Sequence, residues 1–216
     1  TYAEQGKELI IGRMKQGIYQ VIEEKDLQIS NILGIGIGAP GPVDYKKGII
    51  HCAPNLPGWE GVPLANIVKD EFKVPVIVEN DANAAAWGEN SFGIAQGIDD
   101  MICISLGTGI GAGLILSGKI YHGKNNLSGE VGHIIVNKEG PLCNCGNYGC
   151  LEAYSSASGI KNRIKNKIKE LGTERKALPP LPNFDDISLA QVFEMARKGN
   201  LIVKGIIEEA IEYLGI

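Results

Sequence analysis

Residues 128–152, SGEVGHIIVNKEGPLCNCGNYGCLE, constrain this chain more than any other stretch. They hold three of its five cysteines and one of its three histidines, crowded among glycines. Cys143, Cys145 and Cys150 follow the spacing C-x-C-x4-C, and His133 stands ten residues before the first of them. Three thiolates and a neutral imidazole are the donor set of a closed, tetrahedral structural Zn2+ site. Gly146 and Gly149 allow the backbone to turn tightly enough for three sulfurs to face one point. The alternative is three unrelated thiols or one disulfide. The four residues together predict zinc.

The 216 residues are enough to bury a core as one large domain or two small ones. A composition of 44% apolar and 21% charged residues is ordinary for a soluble globular protein. The net charge of −4, with no Lys/Arg run, gives no footing for nucleic acid. No uninterrupted apolar stretch reaches membrane-spanning length, and no signal peptide is visible, so no membrane partner is expected. Thiols and a metal site fit a reducing cytoplasm. The chain opens on Thr1 with helical periodicity following at once and stops at Ile216 inside another helical pattern, which reads as a piece of something longer.

Apolar residues from Leu9 to Ile22 recur at helical spacing and predict a helix over Ala3–Lys25. ILGIGIG, ending at Gly38, reads as a buried strand, and the prolines of APGPVD (39–44) as a rigid loop. A short strand over 48–51, a loop over 55–61 and a helix from Pro63 to Phe72 follow. Val74–Val78 predicts a strand and Ala82 to about Asn90 a helix. Strand alternating with helix argues for an α/β layer with a mostly parallel sheet. MICISL (101–106) is the next strand, and Ala112–Ser117 with Lys119–Tyr121 are two more around Ser117-Gly118. Helices are predicted over about 157–171, 188–198 and 201–214, with 173–186 an exposed loop. A domain boundary is expected near Gly97, dividing 1–97 from 98–216.

Asp81 follows a strand and precedes a helix, where a carboxylate serves either as a helix cap or as a base that deprotonates a hydroxyl nucleophile. Ligands of open α/β sheets gather at the carboxyl ends of strands, where Asn80 and Asp81 fall. Gly107-Thr108-Gly109 lies between two strands, so it is neither a dinucleotide-binding fingerprint nor a P-loop. It is either a plain hairpin turn or a set of backbone N–H groups for phosphate. Glu130 and Glu152 flank the cysteine cluster. They are solvated surface groups, or carboxylates that accept hydrogen bonds from a polyol. His51, His122, Cys52 and Cys103 show no partner pattern.

Taken together, GAPGPVD (38–44), APNLPGW (53–59), ENDANAAAWGE (79–89), LGTGIGAGLI (106–115), GEVGH (129–133) and CNCGNYGCLEA (143–153) resemble the ROK family of sugar kinases and repressors, above all its bacterial glucokinases. The resemblance implies a two-domain, actin-like ATPase (ribonuclease H-like) α/β fold with a sugar cleft between domains, incomplete here. Residues 1–97 would be part of the small domain, and 98–216 part of the large one, with its zinc loop and C-terminal helices. Asp81 would be the catalytic base for the sugar 6-hydroxyl. Asn55, Asn80, Asp81, Glu130, His133 and Glu152 would hold the sugar. Gly107, Thr108 and Gly109 would lie against the ATP phosphates. His133, Cys143, Cys145 and Cys150 would bind structural Zn2+, with the second ring nitrogen of His133 turned to the sugar. Mg2+ would accompany ATP, and a homodimer or higher homo-oligomer is expected.

The family's N-terminal Asp-x-Gly-Gly-Thr phosphate motif and its C-terminal glycine-rich adenosine motif are absent, so the chain alone is expected to be inactive. The activity implied for the intact protein is ATP-dependent phosphorylation of glucose to glucose 6-phosphate. A kinase for mannose, fructose or an N-acetylated amino sugar, a sugar-sensing repressor, and a non-catalytic sugar-binding domain are the other readings.

Overall fold

Five parallel register pairs, Ile35↔Val76 to Ala39↔Asn80, join strand β1 (Ile35–Ala39) to β4 (Val76–Asn80) in the computed structural model. The structure describes residues 3–53, 56–171, 184 and 187–215. Before β1 runs α1 (Lys7–Glu24), preceded by a single 3-10 turn at Ala3–Gln5. The expected continuous helix is broken there because Gly6 takes φ 88°, outside the right-handed helical region. Ile11 and Ile22 of α1 are buried. Between β1 and β4 lie the small antiparallel pair β2 (Val43–Asp44) and β3 (Ile49–Ile50), then α2 (Leu64–Phe72). The rigid loop expected over 39–44 therefore ends one strand early: Pro40 and Pro42 cannot donate to a ladder, but Val43 pairs with Ile50.

β4 leads straight into α3 (Asp81–Phe92). The strand lies two residues later than expected, so Glu79 and Asn80 are its last two residues. β5 (Met101–Leu106), β6 (Ile110–Leu116) and β7 (Lys119–Ile120) form a three-stranded sheet in that order. Ser117 (φ 51°) and Gly118 (φ 70°) make the two-residue turn that joins β6 to β7. Such a turn can only link antiparallel strands, so the mostly parallel sheet expected from the strand–helix alternation gives way to one parallel pair and a meander. Gly113 of β6 faces α3 so closely that a Cβ would lie 2.6 Å from the Ala82 carbonyl oxygen, and only glycine fits.

Beyond the cysteine-rich loop come α4 (Leu151–Ser155), which periodicity did not foresee, and α5 (Ala157–Glu170). α6 (Leu189–Arg197) and α7 (Leu201–Leu214) close the chain. Each of the last three has a side-chain cap of the preferred type: Ser156 accepts from Gly159 N–H, Ser188 from Gln191, Asn200 from Val203. The expected exposed loop over 173–186 lies outside the described residues except for Phe184, which is buried.

The chain divides into two compact units, Thr1–Cys103 with Gly113–Gly129, and Ile104–Ala112 with Glu130–Ile216. The first has its core in Ala39, Val43, Ile50, Val68, Phe72 and Val78, with Ile10, Met14 and Ile18 of α1 packed against it. The second has Ile160, Ile164, Val192, Val203 and Ile207 beneath its helices. No described helix is long and apolar enough to cross a membrane.

Candidate functional site

In the first unit the site residues sit where β4 ends and α3 begins. The cap of α3 is Asn80, whose Oδ1 accepts the N–H groups of Ala82 (3.0 Å) and Asn83 (3.1 Å). Its Nδ2 donates to the Gly41 carbonyl at 3.2 Å. Asp81, one position later, is exposed, and its Oδ1 also accepts from Ala82 N–H at 2.9 Å. Capping therefore falls mainly to Asn80, and Asp81 keeps a carboxylate oxygen for other partners. Asn55 lies outside the described residues.

One pairing escaped the sequence. His122 shows no partner pattern in the sequence, yet its Nε2 stands 2.7 Å from Oε2 of Glu79, both side chains largely buried. The Tyr45 ring stacks on the imidazole at 3.6 Å and 7°. The other Glu79 oxygen accepts from Asn80 N–H (2.9 Å) and from Asn83 Nδ2 (3.1 Å). His51 and Cys52 are exposed.

In the second unit, the Gly107-Thr108-Gly109 turn is pinned through its carbonyls. Gly107 O accepts from Ala157 N–H at 3.0 Å, and Thr108 O accepts from the N–H (3.3 Å) and hydroxyl (2.6 Å) of Ser158. The N–H groups of Thr108 and Gly109 take no part in these bonds. Next along, Ile110 N–H donates to Glu152 Oε2 at 2.9 Å. One Glu152 oxygen is thus committed to the backbone beside the glycine turn, and the other lies 3.9 Å from Cys143 Sγ.

A 3-10 turn over Val131–His133 carries Glu130 and His133 at its two ends. It lies close on β6, where a Cβ on Gly132 would meet Ile110. The cysteine loop folds back on itself through Cys143 N–H to Asn147 O (2.8 Å) and Gly146 N–H to Cys143 O (2.9 Å). Leu151 N–H to Ile134 O, 2.9 Å, then ties the end of the loop beside His133. Gly149 has φ 72° and passes against Asn137 O with no room for a side chain.

As a result one ligand atom from each of His133, Cys143, Cys145 and Cys150 lies within 4.8 Å of all the others. Cys143 Sγ is 3.7 Å from His133 Nδ1, and Cys145 Sγ is 3.6 Å from Cys150 Sγ. The latter is far beyond a disulfide bond of about 2.05 Å, and all five cysteines are free. A tetrahedron with Zn–S bonds of about 2.3 Å has edges near 3.8 Å, so the spacing and the chemistry of these four donors fit zinc. Without a cation the thiols disagree electrostatically. Burial, then hydrogen bonding with its two neighbours, pushes Cys150 up to about 12, and burial raises Cys143. Cys145 is lowered by the Asn147 backbone N–H. A bound dication would favour all three thiolates together. The second ring nitrogen of His133, Nε2, faces Glu130 Oε2 at 3.8 Å.

The geometry defines a chain with a carboxylate at a strand end, a glycine turn pinned by its carbonyls, and a cysteine–histidine cluster. The model of the ROK family matches residues 2–216, and the chain belongs to that family. It is 36% identical over 219 residues to the glucokinase of Halalkalibacterium halodurans, covering all of this chain and 65% of that protein. It is 40% identical over 185 residues to the xylose repressor of Caldicellulosiruptor bescii, 86% of this chain and 46% of that one. Among solved structures, a ROK glucokinase of Streptomyces griseus in complex with glucose and AMPPNP superposes with a TM-score of 0.76 at 35% identity, over 97% of this chain and 66% of that one. The fold is thus the actin-like ATPase fold of the ROK sugar kinases. The chain spans roughly half to two thirds of the relatives it matches.

Proposed function

We propose that the protein containing this chain transfers the γ-phosphoryl group of ATP to the 6-hydroxyl of glucose. One observation carries the reading: Asp81 stands exposed at the end of a parallel strand while Asn80 takes the main capping duty. That leaves the Asp81 carboxylate able to accept the proton of an attacking hydroxyl, which makes the oxygen a better nucleophile as it bonds to phosphorus. Asn55, Asn80, Glu130, His133 and Glu152 would orient the sugar hydroxyls. Gly107, Thr108 and Gly109 would lie against the phosphates, with the N–H groups of Thr108 and Gly109 as donors, that of Gly107 being given to Gly109 O, and with Mg2+ accompanying ATP. Zinc on His133, Cys143, Cys145 and Cys150 would brace the loop that carries Glu130 and Glu152. Residues 1–97 and 98–216 would then be parts of the small and large domains of that kinase.

The identity to glucokinases and the glucose-bound relative support this choice of substrate. Mannose, fructose or an N-acetylated amino sugar is the nearest alternative. The xylose repressor relative favours a second reading, a sugar-sensing regulator. A coupled ADP-release assay on the full-length protein with a hexose panel separates them. Fastest ADP release with glucose supports the proposal, a different preferred hexose shifts the substrate, and sugar binding without ADP release favours the regulator.

A further inference from the structure

The carboxylate of Glu79 is the hub of the corner that carries Asp81. Oε1 accepts the Asn80 N–H at 2.9 Å and Asn83 Nδ2 at 3.1 Å, so it grips the residue before Asp81 and the residue two after it. Oε2 is held at 2.7 Å by Nε2 of His122, from beyond the end of β7. A carboxylate only accepts, so the imidazole donates this bond. Side-chain exposure is 14% for Glu79 and 16% for His122, and the Tyr45 ring lies flat on the imidazole at 3.6 Å. Asn83, clamped by this network, is 5% exposed. A hydrogen bond shielded from water in this way is stiffer than a surface one.

We propose that His122 and Glu79 are a positioning pair: His122 fixes the Glu79 carboxylate, Glu79 fixes the 80–83 turn, and the turn sets the direction of the Asp81 side chain. Neither residue touches substrate in this account, which rests on the reading of Asp81 as the base. Reaction rates depend steeply on the alignment of the accepting base with the attacking hydroxyl, while ground-state sugar binding draws on other groups.

Two substitutions separate this role from packing. His122→Phe keeps a flat ring against Tyr45 but has no donor for Glu79. His122→Gln loses the ring but restores an N–H donor. In the full-length protein, His122→Phe should lower kcat about tenfold to a hundredfold with sugar KM within about twofold, and His122→Gln should recover most of that loss. Hydrogen exchange at the Ala82 and Asn83 amides should quicken in His122→Phe and return toward wild type in His122→Gln. Unchanged kcat in His122→Phe, or kcat and KM altered together, would overturn the proposal. So would amide exchange that follows loss of the ring rather than loss of the donor. Failure of the kinase reading is seen separately, as wild-type protein that releases no ADP with any sugar; the exchange comparison then decides the positioning role of the pair alone.

Discussion

Glu152 and Ile110 are joined by a hydrogen bond of 2.9 Å across 42 positions of sequence, from the backbone N–H beside the glycine turn to a carboxylate beside the cysteine cluster. Ile110 is only 5% exposed. Leaving a buried N–H unpaired costs about 1–3 kcal/mol. Glu152→Ala should therefore lower stability by about that much and speed exchange of the Ile110 amide, whereas Glu152→Gln, which keeps an acceptor, should do neither. Equal effects of the two substitutions, measured by urea unfolding and amide exchange, would refute this role of the bond.

Asp81→Asn keeps the size of the side chain and, at Oδ1, an acceptor for Ala82 N–H, so α3 should start where it does now. The amide cannot take a proton. In the full-length protein, turnover should fall by about 10² to 10⁴ with sugar affinity kept, as measured by ADP release and by calorimetry. Near-normal turnover rules Asp81 out as the base.

Metal analysis of purified protein should find one zinc per chain. Cys150→Ser removes the fully buried thiol of the cluster and should abolish stoichiometric zinc, with a fall in Tm that matches that of chelated wild-type protein. A Cys150→Ser protein that retains one zinc would show that the four residues are not the ligand set.

Glu71 on α2 accepts from Lys15 Nζ at 2.9 Å and from the Tyr19 hydroxyl at 3.0 Å, both on α1. These bonds, the Lys15 one first, hold its carboxyl below the ordinary 4.5. A folded-state value below the unfolded one gives stability that is fully present above pH 4.5 and lost as pH falls through the lower folded value. The stability gap between wild type and Glu71→Gln should thus be constant near neutrality and shrink below about pH 4. Urea midpoints of both proteins between neutral and acid pH check it; a gap that does not change with pH removes the ionised pair from the account.

Local patterns in the chain were readable where the physics is local. The C-x-C-x4-C spacing assembles through bonds that span a few residues, such as Cys143 N–H to Asn147 O, so the cluster is legible in the sequence. Ser188 and Asn200 announce α6 and α7 because a cap acts within one turn. By contrast, Glu79 and His122 are 43 positions apart, and nothing near either residue announces the other. The five-residue α4 is too short to show periodicity, and its cap, Cys150, is a metal-ligand candidate rather than a capping residue type. Val74 belongs to the apolar run and so puts the expected start of β4 two residues early, although the ladder starts only at Pro75, whose carbonyl accepts from Ile35 N–H at 2.9 Å. Ser117-Gly118 marks the turn between β6 and β7 by itself, whereas the mostly parallel sheet follows from strand–helix alternation earlier in the chain, which says nothing of β5 to β7.

The assignment of 104–112 to one unit, with 103 and 113 on either side belonging to the other, has a consequence for how the chain can be made. The polypeptide passes between the units at 103–104, 112–113 and 129–130, so neither is a continuous segment. On a ribosome the first unit cannot complete itself when residue 103 emerges. It must wait for 113–129, after the strand ends and glycine turn of the second unit have already been synthesised. Contacts that close late in the chain carry an entropic delay, so folding of the two units is coupled in time. No single proteolytic nick releases either unit whole, because each is built from two separate stretches of chain.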